Sequence, residues 1–359
     1  MTRNPRSLSR RLTLPARRCS IVSLAVTAAA VLVAFQAQPA VAQDKPVELK
    51  LAHWVPGQHL LAVHGFVPWA KSVEAASGGS IKVAIFPAQQ LGKAPDHYDV
   101  ARDGIAQMTY VNPGYQPGRF PIFAAGALPF LVDKPGPASA ALDAWYRPLA
   151  EKEMKDVKVC FSHLHVGTLH SKKPITEPSQ LSGMKVRPAN GEVGQLVASL
   201  GGTSVQVSAP EARDALTKGV ADAITFPWNS IISFGIDKAV TFHTDMRLYA
   251  APFVWAMNKP WYEALSAKQK QVIDDHCTNE WAARVGKDWG DAEDAGREKL
   301  KAMKGHTIVP MTAAQVDVWK KAAAPMHDRW IADADKAGYP GKQLLDDLKA
   351  KLAKTGGAY

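Results

Sequence analysis

Short runs of β-branched and apolar residues alternate with amphipathic stretches along most of this chain. This alternation is the signal that most limits the fold, because strands separated by helical stretches are typical of α/β domains. In the first half, the predicted strands are 47–53, 81–86, 107–111 and 157–163, and the predicted helices are 59–76, 96–102 and 137–154. The sequence therefore predicts the α/β class.

The same order repeats after residue 180. Here the predicted strands are 184–187, 204–207 and 223–226, and the predicted helices are 192–200 and 210–218. A second α/β unit agrees with the length of 359 residues, which suits two domains of about 100–200 residues each.

A nearly unbroken helical pattern covers 266–303. At 1.5 Å per residue such a helix is about 57 Å long, which exceeds one domain, so we interpret it as a helix that ties two domains together. A strand at 306–310 and helices at 312–336 and 341–354 are predicted to complete the chain.

The N-terminus has the pattern of a secretory signal peptide. Six arginines lie among residues 1–18, an apolar run covers 21–35, and the small residues Ala40 and Ala42 precede Gln43. We predict a signal peptide over 1–42, cleavage before Gln43 and a periplasmic location. A membrane anchor is the alternative, but the 15 residues of this run fall short of the roughly 20 that span a bilayer. The sequence leaves the general and twin-arginine export routes open.

Charge and cysteine content argue against a nucleic-acid-binding protein and against a protein built on a disulfide framework. The net charge of +10 owes six of its positive charges to the signal peptide, and later basic residues alternate with acidic ones, so no nucleic-acid partner is predicted. Beyond the signal peptide, Cys160 and Cys277 are 117 positions apart and provide no disulfide framework. We expect both to be buried as small hydrophobic residues, as is common for cysteine.

Common catalytic and metal-binding motifs are absent. The sequence contains no GxSxG, HExxH, P-loop, GxGxxG or paired CxxC motif. His163, His165 and His170 form the only metal-like grouping, and no carboxylate or cysteine at a supporting spacing accompanies them. We therefore predict neither a metal, nor a cofactor, nor an enzymatic activity.

The order of several short motifs resembles the solute-binding proteins of tripartite ATP-independent periplasmic (TRAP) transporters, of the C4-dicarboxylate-binding type. The motifs are 49–52 (LKLA), 86–92 (FPAQQLG), 104–108 (GIAQM), 128–130 (LPF), 181–188 (LSGMKVRP), 200–202 (LGG) and 215–222 (ALTKGVAD). The resemblance implies a two-lobed periplasmic binding protein fold of type II, with a long helix spanning both lobes. It also implies a monomer that captures a small organic acid and delivers it to membrane permease subunits.

The resemblance further implies the domain organisation. After the signal peptide, residues 43–163 would form mainly lobe I and residues 164–255 mainly lobe II. Residues 256–359 would then contribute the long helix and C-terminal segments that pack on both lobes.

Arg187 stands at the position where this family grips its ligand, and its planar guanidinium can hold a carboxylate through two hydrogen bonds. Trp54 and Asn112 match positions that line the cleft. As alternatives, Trp54 is a core residue, and Asn112 forms a turn with the Pro-Gly pair that follows it. His165 lies near the family's second cationic contact, which aligns with Gly167; a buried core histidine is the alternative.

Phe226 departs from the family pattern, because many relatives have an asparagine there that bonds the ligand. Phe226, Trp228 and Trp54 would instead form an aromatic wall opposite the arginine, and Asn229 completes the predicted site. Trp228 packing in the hinge is the alternative. Together with Gly167, this departure predicts an aromatic or branched monocarboxylate as ligand. A periplasmic enzyme and a ligand-presenting sensor are the competing functions.

Overall fold

A computed structural model describes residues 44–359, which belong to one compact unit. The predicted signal peptide and its cleavage site lie outside the described residues. No helix among residues 44–359 combines the length and the apolar character needed to cross a membrane.

Ten strands and twelve α-helices alternate along residues 44–359. The strands are β1 (Val47–Ala52), β2 (Ile81–Phe86), β3 (Met108–Val111), β4 (Val157–Ser171), β5 (Lys185–Arg187), β6 (Thr203–Ser204), β7 (Ala223–Phe226), β8 (Phe242–Thr244), β9 (Tyr249–Asn258) and β10 (Thr307–Val309). The helices are α1 (Val67–Ala76), α2 (His97–Arg102), α3 (Pro135–Glu153), α4 (Gly191–Ser199), α5 (Ala209–Thr217), α6 (Trp228–Ser233), α7 (Lys259–Glu263), α8 (Ala267–His276), α9 (Asn279–Ala302), α10 (Ala313–Ala323), α11 (Pro325–Lys336) and α12 (Gly341–Thr355).

The strands form a mixed sheet in the order β2-β1-β3-β9-β4-β7-β5-β6, with β8 and β10 branching from β4. Strand β1 pairs in parallel with β2 and β3 at one end, and β5 pairs in parallel with β6 and β7 at the other. The antiparallel strands β4 and β9 lie between these two parallel groups. Each parallel group has its own helices, as expected for α/β units, so the sheet has two halves joined through β4 and β9.

Strands β4 and β9 are the structural link between the two halves. They pair from Val157 opposite Asn258 to Gly167 opposite Tyr249, and beyond Gly167 strand β4 continues to pair with β7. The predicted strand 157–163 is therefore too short, and β9 was not predicted at all. Because β4 passes from one half to the other, the residues around Gly167 lie where the halves meet.

The predicted helix over 266–303 is wrong as a single helix. It is divided into α8 and α9 at Cys277 and Thr278, and the Thr278 side chain accepts a hydrogen bond from the Trp281 backbone N–H at the start of α9. Threonine is a favoured N-cap residue for this reason. Cys277 forms a disulfide with Cys160 of β4, which also corrects the expectation that the two cysteines are separate core residues.

Helix α9 packs closely against helices from both parts of the fold. A Cβ atom on Gly286 would lie 2.1 Å from the Ser139 side chain of α3, and one on Gly296 would lie 2.4 Å from the Asn229 backbone of α6. Only glycine permits helix backbones to approach so closely. The expected connecting helix is thus present as the 24 residues of α9, whereas the predicted lobe boundaries stay a prediction.

Candidate functional site

A small cavity of about 30 Å³ lies where the two halves of the sheet meet. Five of the seven predicted site residues line it: Trp54, Asn112, His165, Arg187 and Phe226. They come from five separate places in the chain, including the ends of β5 and β7. The ends of strands in α/β sheets are common places for ligand sites.

Arg187 is a buried cation at the end of β5, with 1% of its surface exposed. Its guanidinium donates hydrogen bonds to the Val207 carbonyl (2.9 Å), the Thr225 carbonyl (3.5 Å) and the Tyr115 hydroxyl (3.3 Å). Within residues 44–359, no carboxylate lies within 4.0 Å of it. Of the five N–H donors of an arginine, two are therefore left for another partner. A buried charge without a counter-ion is costly, so the site favours an anion.

Aromatic rings surround this cation. The Phe226 ring centroid lies 5.4 Å from the Arg187 guanidinium carbon, within the range of a cation–π contact. The Trp54 ring lies 5.2 Å from the ring of Tyr110 and 6.1 Å from that of Phe253, and its indole N–H donates to the Tyr110 carbonyl at 3.0 Å. Trp54 is thus both a core residue and part of the cavity wall.

Asn112 likewise has two structural roles. Its side-chain oxygen accepts a hydrogen bond from the Gly114 backbone N–H at 3.0 Å, which is the turn considered from the sequence. Its amide nitrogen donates weakly to the Ala189 carbonyl at 3.5 Å, beyond β5. Asn112 therefore connects the loop after β3 with the segment that follows Arg187.

His165 is buried as a neutral imidazole. Its Nδ1 atom lies 3.1 Å from the Val166 carbonyl oxygen, and its ring lies 4.2 Å from the Trp289 ring in an edge-on contact. Burial lowers the pKa of His165 to about 3. His165 lines the cavity without adding a positive charge at neutral pH.

Trp228 and Asn229 do not line the cavity. The Trp228 ring packs edge-on against His170 at 5.4 Å. The Asn229 backbone N–H donates to the Glu293 carboxylate at 2.6 Å, and its side-chain oxygen accepts from the Ser233 hydroxyl. Both residues belong to α6, and the structure places them outside the residues that line this cavity.

Several lining residues were missed by the sequence analysis. They are Tyr115 after β3, His59 before α1, Tyr249 and Phe253 on β9, and Trp289 on α9. The continuous apolar run 249–257 could have indicated a buried strand. Its position beside Arg187 could not be inferred, because that depends on the pairing of β9 with β4.

A buried carboxylate, that of Glu293 in α9, lies near the cavity, and both of its oxygens accept hydrogen bonds from neighbouring groups. It accepts hydrogen bonds from the Asn229 and Ser230 backbone N–H groups, the Ser230 hydroxyl and the Trp289 indole N–H. Burial raises the pKa of this carboxyl. The Ser230 hydroxyl also lies 2.9 Å from Nε2 of His59. Glu293 therefore organises one wall instead of neutralising Arg187.

No cluster of three or more His, Cys, Asp or Glu side chains in the described part of the chain is arranged to hold a metal ion. His170, one of the three histidines considered from the sequence, bonds instead to His243, with 2.7 Å between the two Nδ1 atoms, and to the Phe226 carbonyl at 3.0 Å.

Residues 51–333 match the family described as bacterial extracellular solute-binding protein, family 7. The chain belongs to this family. A TRAP solute-binding protein from Rhodoferax ferrireducens T118, in complex with copurified benzoate, is 31% identical, with 86% of this chain and 98% of that chain covered and a TM-score of 0.83. The predicted family and two-lobed fold are thereby confirmed.

Two further TRAP solute-binding proteins are similar over comparable lengths. One, from an unidentified microbe of a marine metagenome, is specific for aromatic acid ligands and contains 3-hydroxybenzoate; it is 33% identical, with 87% of this chain and 99% of that chain covered and a TM-score of 0.83. The other, from Bordetella bronchiseptica, contains (R)- and (S)-mandelate; it is 25% identical, with 86% and 99% covered and a TM-score of 0.80. The relatives of this TRAP solute-binding protein are thus receptors for transport.

Proposed function

We propose that this TRAP solute-binding protein captures an aromatic monocarboxylate and delivers it to the membrane permease of its transporter. The observation that carries the proposal is Arg187, a buried guanidinium with two unused donors and no carboxylate within 4.0 Å among residues 44–359. A carboxylate can accept two parallel charge-assisted hydrogen bonds from such a group. Binding would supply the counter-ion that the free site lacks.

The remaining walls favour one carboxylate and an apolar body. Burial lowers the pKa of both His59 and His165 to about 3, so neither ring is charged at neutral pH. Among the lining residues, Arg187 is then the one permanent cation. Trp54, Phe226 and the other aromatic rings provide contact surface for a ring or a branched chain.

The ligands of the relatives agree with this ligand class. Benzoate, 3-hydroxybenzoate and mandelate, found in the similar structures, each combine one carboxylate with one aromatic ring.

We also propose that the protein acts as a periplasmic monomer after removal of residues 1–42. The arginine-rich start, the apolar run and the small residues before Gln43 support this location. The family match to extracellular solute-binding proteins supports it independently.

Calorimetric titration of the Arg187→Ala variant with benzoate tests the proposed function. Truncating one partner of a buried charge pair costs about 2–5 kcal/mol, so we expect affinity to fall by a factor of roughly 30 to 5,000. Arg187→Lys keeps the charge without the planar fork and should bind with intermediate affinity. Arg213→Ala, at an exposed arginine of α5, is the matched control and should bind like the unchanged protein.

Two results would reject the proposal. One is benzoate affinity near that of the unchanged protein in a folded Arg187→Ala variant. The other is tighter binding of succinate, which carries two carboxylates, than of any aromatic monocarboxylate tested.

A further inference from the structure

Tyr249, the first residue of β9, has a buried hydroxyl group that the fold itself does not use. The residue is 2% exposed, and its hydroxyl makes no hydrogen bond of normal geometry among residues 44–359, although the Thr225 side chain lies nearby. Tyr249 lines the same cavity as Arg187. An unpaired buried hydroxyl is costly, and because this one also lines the cavity, its position indicates a partner that arrives with the ligand.

Gly167 makes the room for this hydroxyl. It lies opposite Tyr249 in the β4–β9 pair, and a Cβ atom placed on it would lie 2.3 Å from the Tyr249 hydroxyl oxygen. Any larger residue at position 167 would displace the tyrosine ring. Because Gly167 has no side chain, the neutral Tyr249 hydroxyl occupies the space that a side chain at position 167 would otherwise fill.

The chemistry of the surroundings restricts what this hydroxyl can bind. Burial raises the pKa of Tyr249 far above its ordinary value, and the smaller opposing effects of the Arg187 charge and the nearby Thr225 side chain do not reverse this. The phenol thus stays protonated and is available as a hydrogen-bond donor. A carboxylate has two acceptor oxygens and a full negative charge, so it can accept hydrogen bonds from the phenol and the guanidinium together.

We propose that the Tyr249 hydroxyl donates a hydrogen bond to the ligand carboxylate that Arg187 holds. This inference rests on the proposed function and adds a second, uncharged contact to the same carboxylate. It follows that the site recognises one carboxylate with one charged and one neutral group. No place at position 167 is then left for a cation that could hold a second carboxylate.

Tyr110 of β3 offers a matched control. Its hydroxyl is also buried and without a hydrogen-bond partner in the described part of the chain, and burial likewise raises its pKa. Tyr110 does not line the cavity, and its ring packs against Trp54 and Phe253. Replacing either tyrosine by phenylalanine removes one unpaired hydroxyl and retains the ring, so only the position of the hydroxyl differs.

The experiment measures binding of benzoate, 3-hydroxybenzoate and cyclohexanecarboxylate to the mature protein and to its Tyr249→Phe and Tyr110→Phe variants by calorimetry. A hydrogen bond to a charged group contributes about 1.5–3 kcal/mol. The affinity of Tyr249→Phe for each of the three acids should therefore fall by a factor of roughly 10 to 150. Tyr110→Phe should change each affinity by less than about twofold, because a group that does not touch the ligand adds no differential binding. Thermal unfolding confirms that both variants are folded.

The possible outcomes separate this inference from the proposed function. If the unchanged protein binds these acids and Tyr249→Phe binds them equally well, the inference is wrong and the proposed function stands. A loss confined to 3-hydroxybenzoate would show that Tyr249 contacts the ring hydroxyl, which also overturns the inference. If the unchanged protein binds none of the three acids, both proposals fail.

Discussion

At the scale of single residues, Phe226 determines what surrounds the carboxylate site. Its ring is 5% exposed, lies beside the Arg187 guanidinium and meets the Phe234 ring edge-on at 5.4 Å. An amide in this position would offer hydrogen bonds to a polar ligand, whereas the phenyl ring offers only apolar contact. The same pocket can therefore change its preference through one side chain.

Phe226→Asn should reduce the preference for aromatic over aliphatic acids. An aromatic pair contributes about 0.5–1.5 kcal/mol, so we expect benzoate to bind more weakly by a factor of roughly 2 to 13 when the Phe226 ring is lost. Succinate should lose less, because it gains a hydrogen-bonding amide. Parallel titrations measure the ratio of the affinities for benzoate and succinate. Phe226→Leu, which keeps an apolar side chain, is the control. An unchanged ratio of the two affinities in Phe226→Asn would contradict this role.

At the scale of secondary-structure elements, prediction succeeded where the signal is local. The strands 81–86 and 223–226 occur at the predicted residues, since each is a short apolar run with clear boundaries. The break between α8 and α9 was missed because the apolar periodicity continues across it. Arg187 and Phe226 could be placed from motifs, but Tyr249 could not, because its role depends on strand pairing with Gly167.

Gly296→Ala tests how the position of α9 controls the site. A Cβ atom there would lie 2.4 Å from the Asn229 backbone nitrogen, so α6 must shift, together with Ser230, which lines the cavity. Overpacking of this kind typically costs about 1–3 kcal/mol, and we expect a lower melting temperature and weaker benzoate binding. Gly57→Ala is the control, because the nearest atom to its added Cβ is 3.8 Å away. Equal stability of the two variants would disprove the close contact.

At the scale of the whole molecule, many histidines are buried in the neutral form. Burial lowers the pKa of His53 and His97 to about 4, and that of His59, His163 and His165 to about 3. In the unfolded chain each would titrate near its ordinary value of 6.5. At mildly acidic pH the folded protein therefore binds several fewer protons than the unfolded chain.

We predict that the free energy of unfolding decreases as the pH falls from about 6.5 towards 4. In this window the unfolded chain binds more protons than the folded protein, and each such histidine contributes up to about 1.4 kcal/mol per pH unit. Asp143, Glu153, Glu192 and Glu293 act in the opposite direction, since burial raises the pKa of each carboxyl, but these four are fewer than the histidines. Urea denaturation between pH 7 and pH 5 measures the slope. His163→Phe should flatten it by about one proton, and a pH-independent stability would refute the prediction.

The Cys160–Cys277 disulfide makes the stability of the folded protein depend on the redox state of its compartment. The cytoplasm keeps thiols reduced, whereas disulfides form and persist in the periplasm. The bond joins residues 117 positions apart, and closing a loop of that size lowers the free energy of folding by about 4–5 kcal/mol in the chain-entropy account. With the export proposed above, the reduced precursor would be less stable in its folded form before it crosses the membrane than the oxidised protein after it. The receptor would then be most stable in the compartment where its solute arrives.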